Sequence, residues 1–231
     1  MNTITPLDVP YAIKKRRSIR VFKPDPIEPA LIEQLINLTV AAPSASNVQP
    51  WRIVVVQNPD KKAALAKAYP DADDVTEFNP KLYSRQEIIA SAPISFVFTA
   101  DINSWKKAPD ILEEAKDNGT YSEQLVEYML EKGIPALVEQ LGDKAREWAV
   151  QDTMVAATHL VLAAESLGLS TCMINHPLED KVKEVIGVNN MPDIAIVVLV
   201  AVGYAAESRK NIGRLPLSSN VFLDTFGNPI L

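Results

Sequence analysis

Two stretches of this chain carry side chains that could do chemistry. In Pro43-Ser44-Ala45-Ser46-Asn47-Val48-Gln49-Pro50-Trp51, two hydroxyls and two carboxamides are packed between two prolines. Asn and Gln each set a donor pair beside an acceptor, which suits the edge of a heterocycle that alternates donors and acceptors, such as the pyrimidine part of a flavin. Turn and helix-capping chemistry is the rival reading, because Ser, Asn and Pro are common loop residues. The second stretch, Arg16-Arg17-Ser18-Ile19-Arg20, gathers three guanidinium groups. An extended chain puts Arg16, Ser18 and Arg20 on one face, and a helical end places residues four apart together. Either geometry makes a local clamp for an anion, and guanidinium pairs bidentately with phosphate. A solvated basic patch is the alternative. Arg209, Lys210 and Arg214 form a second basic cluster near the end.

Groups of this kind need rigid elements behind them. The apolar run Ile53-Val54-Val55-Val56 reads as a buried strand that starts where the Pro43 loop ends, and residues 28–42 have the apolar spacing of a helix that delivers the chain to that loop. Asp8 and Pro10 mark a short helix that leads into the arginines, and three prolines in 21–29 mark a linker. Helices are expected over 61–69, 84–91 and 178–186, and strands over 94–98, 169–174 and 194–202, the last suited to the middle of a sheet. The longest helix, 143–167, stops at Gly168 and is apolar almost all round from Thr153 to Ala164. Such a helix is buried on every side, in its own core or at a subunit interface. Residues 101–141 read as a mobile, lid-like excursion, helical in places and broken at Gly119, Gly133 and Pro135. Strands alternating with helices argue for a layered α/β or α+β domain.

Composition narrows the function. With 231 residues and 47% hydrophobic content, one large domain is expected. The formal charge of −6 gives no support to a nucleic-acid partner. A single cysteine, Cys172, leaves no internal disulfide and no cysteine zinc cluster, and its apolar neighbours suggest a buried thiol. Neither a secretory leader nor a membrane span is visible, so a soluble, cytoplasmic protein is expected. Asp71, Asp73 and Asp74 lack the spacing of a calcium loop. His159 and His176 are the only histidines; the first reads as a core residue, and no metal site or hydrolase triad is expected.

In sequence order, the segments Arg16-Arg17-Ser18-Ile19-Arg20, Ala42 to Trp51, Leu167 to Ile174 and Val202-Gly203-Tyr204, with Arg214 in the tail, make the chain resemble the flavin-dependent nitroreductases nearly end to end. The resemblance implies an α+β fold, a three-layer α/β/α sandwich with a central mixed sheet, and a C-terminal tail that packs on the partner subunit. It implies a homodimer that binds FMN at the subunit interface and uses NADH or NADPH to reduce a small aromatic acceptor, a nitroaromatic or a quinone. Under this resemblance Arg16, Arg17 and Arg214 hold the FMN phosphate, with Ser18 nearby and Arg20 close to the N1 and C2 carbonyl edge. Pro43, Ser44, Ser46, Asn47 and Gln49 serve a flavin site shared across the dimer, while Met173, Ile174, Asn175 and His176 pass its N5 and O4. No residue is assigned as catalytic, because the chemistry belongs to FMN and Arg20 supports it electrostatically. Some relatives carry an acidic residue where Asn175 stands, a small one where His176 stands, and a lysine in the segment that here reads Ser84-Arg85-Gln86-Glu87. Other readings are a specialised flavin enzyme of the same fold, a reductive dehalogenase or a flavin-cleaving enzyme, and a non-catalytic FMN-binding module.

Overall fold

The computed structural model describes residues 7–69, 84–175 and 177–230. The expected acidic loop at Asp71, Asp73 and Asp74 and the expected ring contact at His176 lie outside them. Four strands form one sheet in the order β1 (Trp51–Val56), β2 (Ile94–Asp101), β4 (Ile194–Gly203), β3 (Ser170–Ile174). Alternation along these strands decides the layers. Phe96, Phe98, Val198, Val200 and Val202 point to one face, where they meet α2 (Pro29–Val40) and the long α8 (Ala145–Ser166). Val97, Leu199, Ala201 and Cys172 point to the other, against α3 (Pro59–Ala66), α4 (Arg85–Ser91) and α9 (Glu179–Ile186). Helices on both faces make the three-layer sandwich. Ala156, Ala157 and Ala164 are fully buried on α8, and their small side chains let that helix lie close over the sheet.

Two expectations about the sheet are corrected. All three ladders are antiparallel, and among the described residues the parallel part of the expected mixed sheet is reduced to an isolated bridge between Ser18 and Thr171. Each of these helical connections, α3 with α4 between β1 and β2 and α9 between β3 and β4, returns the chain beside the strand it left and running the other way, instead of crossing over to a parallel strand. The run Ile53-Val54-Val55 is only half-buried, because β1 is an edge strand. The strand expected in the middle, β4, is there.

The excursion is helical: α5 (Ala108–Asp117), α6 (Glu123–Tyr128) and α7 (Ile134–Leu141) surround a small core of Ala108, Leu112, Val126 and Ile134. Gly119, at φ 77°, separates α5 from α6 as expected. Gly133 and Pro135 do not break the chain. A π turn over Met129–Gly133 carries α6 into α7, with the Ile134 N–H donating to the Met129 carbonyl, and Pro135 sits in the first turn, where its missing N–H is tolerated. On α8, Trp148, Val155 and Thr158 are exposed, so one face is open rather than buried on every side. Beyond β4, residues 204–230 are largely extended; Ile212 and Phe226 are 97% and 93% exposed. Among the described residues no helix is long and apolar enough to cross a membrane.

Candidate functional site

Helix α1 (Val9–Lys15) ends just before the arginines, and Arg17 closes it. Its Nη1 donates to the carbonyls of Lys14, Lys15 and Arg16 at 2.7, 2.9 and 2.8 Å, groups that a helix end leaves without partners. Its Nε is buried with no hydrogen-bond partner. Past Arg17 the chain is extended: the Ile19 N–H donates to the Thr171 carbonyl at 3.0 Å, and Ile19 itself is buried. The extended alternative therefore holds, with Arg16, Ser18 and Arg20 on one side. The start of the tail lies alongside, through a bridge between Phe22 and Ala205 and through Lys23 N–H to the Tyr204 carbonyl at 2.8 Å. Between the two segments opens a cavity of about 510 Å³ lined by Arg16, Arg17, Ser18 and Arg20 on one side and by Arg209, Lys210 and Arg214 on the other. Arg214 donates from Nη1 to the Gly213 carbonyl at 2.7 Å. An acid that sequence reasoning missed, Glu207, also lines this cavity. Burial alone would raise its pKa, but Arg209 and the amides of Arg20 and Val21 outweigh that and hold the carboxyl below the usual range.

The Pro43 loop is built differently. Ser46, Asn47 and Gln49 have φ of 49°, 54° and 45°, in the left-handed region that residues with a Cβ avoid at roughly 1–2 kcal/mol each. Strain of this kind persists where surroundings enforce it and gathers at functional sites. Here the Ser44 Oγ accepts from the Gln49 N–H at 2.9 Å, and the Ala45 N–H donates to Asp152 Oδ2 on α8 at 3.0 Å. Arg52 Nη1 donates to the Gln49 and Trp51 carbonyls at 3.0 and 2.8 Å, while its Nη2 pairs with Asp101 at 2.9 Å. Trp51, buried in the first core, anchors the exit. Gln49 Nε2 reaches the Asn47 carbonyl at 3.3 Å. Burial pushes the Asp152 carboxyl up, with the Ala45 N–H opposing. Asp152, Arg52 and Asp101 were not singled out as site residues; the signal was an acid inside an otherwise apolar helix.

Met173 and Ile174 belong to β3, and Asn175 follows it, exposed. The Ile174 side chain is buried in the second core and its carbonyl accepts from the buried Tyr69 hydroxyl at 3.1 Å, so what this segment offers a ligand is edge-strand backbone. The structure thus gathers Arg16, Arg17, Ser18, Arg20 and Arg214 around one cavity and sets Met173–Asn175 on the same sheet edge. It does not bring the Pro43 loop to them. Ser18 pairs with Thr171, at the level of Val202 on β4, whereas Trp51 sits through Ala100 at the level of Ala195. Four strand spacings of ~4.8 Å, the last from β3 to the Ser18 segment, and seven residues of ~3.3 Å rise put the two corners about 19 Å apart across the sheet and about 23 Å along it.

The excursion seats on the loop through Trp105, Leu137 and Leu141, with Trp148 of α8 at the same contact, around a gap of about 30 Å³. Its outer side carries a mainly apolar groove of about 570 Å³ lined by Trp105, Pro109, Leu130, Ile134 and Val138, with Lys106 Nζ 5.6 Å from the Trp105 ring. Tyr121 and Tyr128 are exposed and do not line it. Among the described residues no cluster of His, Cys, Asp and Glu could hold a metal. Cys172 is buried, and burial pushes its thiol up.

Comparison with known proteins points the same way. The sequence model of the Nitroreductase family matches residues 13–204. A protein of Thermus thermophilus named NADH dehydrogenase is 32% identical over 93% of this chain and 95% of its own length. The crystal structure of a nitroreductase family protein from Streptococcus pneumoniae is 26% identical, with a TM-score of 0.77 over 93% of this chain and 98% of that one. A structure from Exiguobacterium sibiricum, solved in complex with FMN, has a TM-score of 0.78 at 21% identity over 95% and 98% of the two chains.

Proposed function

This chain belongs to the nitroreductase family, and from that membership we propose that it is an NAD(P)H oxidoreductase that binds FMN between two copies of itself and reduces nitroaromatics or quinones. One observation carries the reading: the basic cavity and the strained loop stand at opposite corners of one sheet, too far apart for a single flavin within one chain. A homodimer that opposes the two corners joins them. The open face of α8, with Trp148 and Val155 exposed, and the extended apolar tail are the surfaces such a dimer would cover. The FMN-bound protein of Exiguobacterium sibiricum shows that a chain of this fold holds that cofactor.

The donor set fits FMN. Arg16 and Arg214 would hold a terminal phosphate with Ser18 nearby, while Arg17, expected with them, spends its Nη1 on the carbonyls at the end of α1; no glycine-rich turn for a dinucleotide pyrophosphate is present in the sequence. Ser44, Ser46, Asn47 and Gln49 from the partner chain would face the polar edge of the ring, with the backbone of Met173–Asn175 along its other side; Pro43 stiffens the entry. When bound, FMN supplies the hydride chemistry. The chain would bind and orient it, and the Arg20 guanidinium, at the ring edge, would favour negative charge there. Trp105, in the 101–141 excursion that we read as a lid, would roof the ring. Nicotinamide and an aromatic acceptor would then stack in turn on the same face, which makes the kinetics ping-pong. A cytoplasmic setting suits the nicotinamide donor and the reduced Cys172.

Anaerobic mixing of the purified chain with NADH or NADPH tests the reading. Loss of flavin absorbance, its return on adding a nitroaromatic or quinone, and parallel double-reciprocal plots are expected. A pigment that is not FMN, or one that stays oxidised, contradicts it; the latter is the outcome a non-catalytic flavin-binding module would give.

A further inference from the structure

A carboxylate is out of place in a cavity lined by arginines, because a unit negative charge at its wall repels the anion the cavity is shaped to receive. Glu207 stands there. Its Oε1 accepts from the Arg20 N–H at 2.6 Å, the Val21 N–H at 3.2 Å and Arg209 Nε at 2.8 Å. The neighbouring backbone explains the arrangement. Residues 21–23 and 204–206 pair through the Phe22–Ala205 bridge, with Ala206 N–H to the Val21 carbonyl at 2.9 Å, and pairing stops there. The Glu207 side chain takes over where the next main-chain carbonyl would have been. By reaching Arg20 it fixes the extended arginine segment, and by reaching Arg209 it ties down the tail that carries Arg214, although the two segments are 187 residues apart.

We infer that Glu207 is a positioning residue that joins the two basic segments into one phosphate cradle. The inference rests on the FMN reading above and deepens it. It also opposes simple Coulomb expectation, under which removing the acid strengthens anion binding.

Equilibrium dialysis of the full-length chain against FMN and, separately, against riboflavin decides between them. The ratio of the two affinities isolates the phosphate, and riboflavin binding reports whether a variant has folded. In Glu207→Ala the preference for FMN should fall at least about tenfold, the equivalent of one charge-assisted hydrogen bond, with riboflavin affinity retained. Glu207→Gln, which keeps an acceptor, should fall between. An unchanged or increased FMN preference in Glu207→Ala overturns the inference. Loss of riboflavin binding as well overturns it too, since Glu207 would then support the whole fold. The FMN reading fails separately, if the unaltered chain shows no preference for FMN over riboflavin.

Discussion

At the β3 corner, cations from the two ends of the chain converge on one cavity, and what holds them is charge and hydrogen bonding around Glu207 and the end of α1. At the β1 corner, a handful of consecutive residues shape themselves into a loop whose backbone is strained at three positions and pinned by Asp152. The first is a site assembled by long-range contacts from residue types that announce their chemistry. The second is a site whose chemistry lies in conformation. Each corner should therefore fail in its own way when disturbed.

The largest effect belongs to the cradle. Arg214→Ala removes charge-assisted contacts of about 1.5–3 kcal/mol each, so FMN affinity should drop from about tenfold to more than a hundredfold, as read by equilibrium dialysis, with little change in the rate of flavin reduction by NAD(P)H. Arg20→Ala should reverse the pattern and slow reduction more than it weakens binding. At the other corner, Asp152→Ala leaves the exposed Ala45 N–H to water. A loss of about 1 kcal/mol in loop order, or about fivefold in FMN affinity, is expected, with the thermal midpoint lowered by roughly 2–4 °C. If both corners respond alike, the contrast is wrong.

The two carboxylates sharpen the comparison through pH. Glu207 has its folded pKa lowered, so its contribution to stability is present above the ordinary glutamate range and is lost as pH falls through the lowered value. Asp152 has its folded pKa raised by burial, so the contribution of its protonated form is complete below the ordinary aspartate range and is lost as pH rises through the raised value. Acidification should loosen the cradle and relieve the loop. Thermal midpoints of Glu207→Gln and Asp152→Asn, measured against the unaltered chain across the acid range, should diverge with opposite sign. The smallest expected effect is that of Ser46→Gly. Relief of the left-handed strain, less the entropy of glycine, should stabilise by about 0.5 kcal/mol and raise the midpoint by roughly 1–2 °C.

The same contrast explains what could be read from the residues alone. Arginines point to an anion by type, so the residues alone offer Arg16, Arg20 and Arg214 as candidates, and the structure brings them around one cavity. Glu207 was not a candidate, because its role depends on a bridge between segments far apart in sequence. The buried strand β4 is a continuous apolar run and β2 is mostly apolar around Phe96, Val97 and Phe98, and Gly168 with Gly119 marked real breaks. Gly133 and Pro135 misled, because a π turn absorbs them without ending the helix. Strand direction was not legible either, since whether a helical connection crosses over or turns back beside the strand it left is a tertiary choice. The strain at Ser46 and Gln49 could not be foreseen from residue type, as neither favours the left-handed region.

The central claim is that each flavin lies between the cradle of one chain and the loop of another. Mixed dimers test it most directly: a chain carrying Arg16→Ala and Arg214→Ala is co-expressed with one carrying Asn47→Ala and Gln49→Ala, and the heterodimer is isolated by differential tags. The shared site predicts one defective and one intact position in every heterodimer, so that half of the FMN binds with the affinity of the unaltered protein and is reduced by NAD(P)H at the normal rate. Two equally weakened positions, with no FMN held at full affinity, would place both sets of residues on the same chain's flavin and contradict the account.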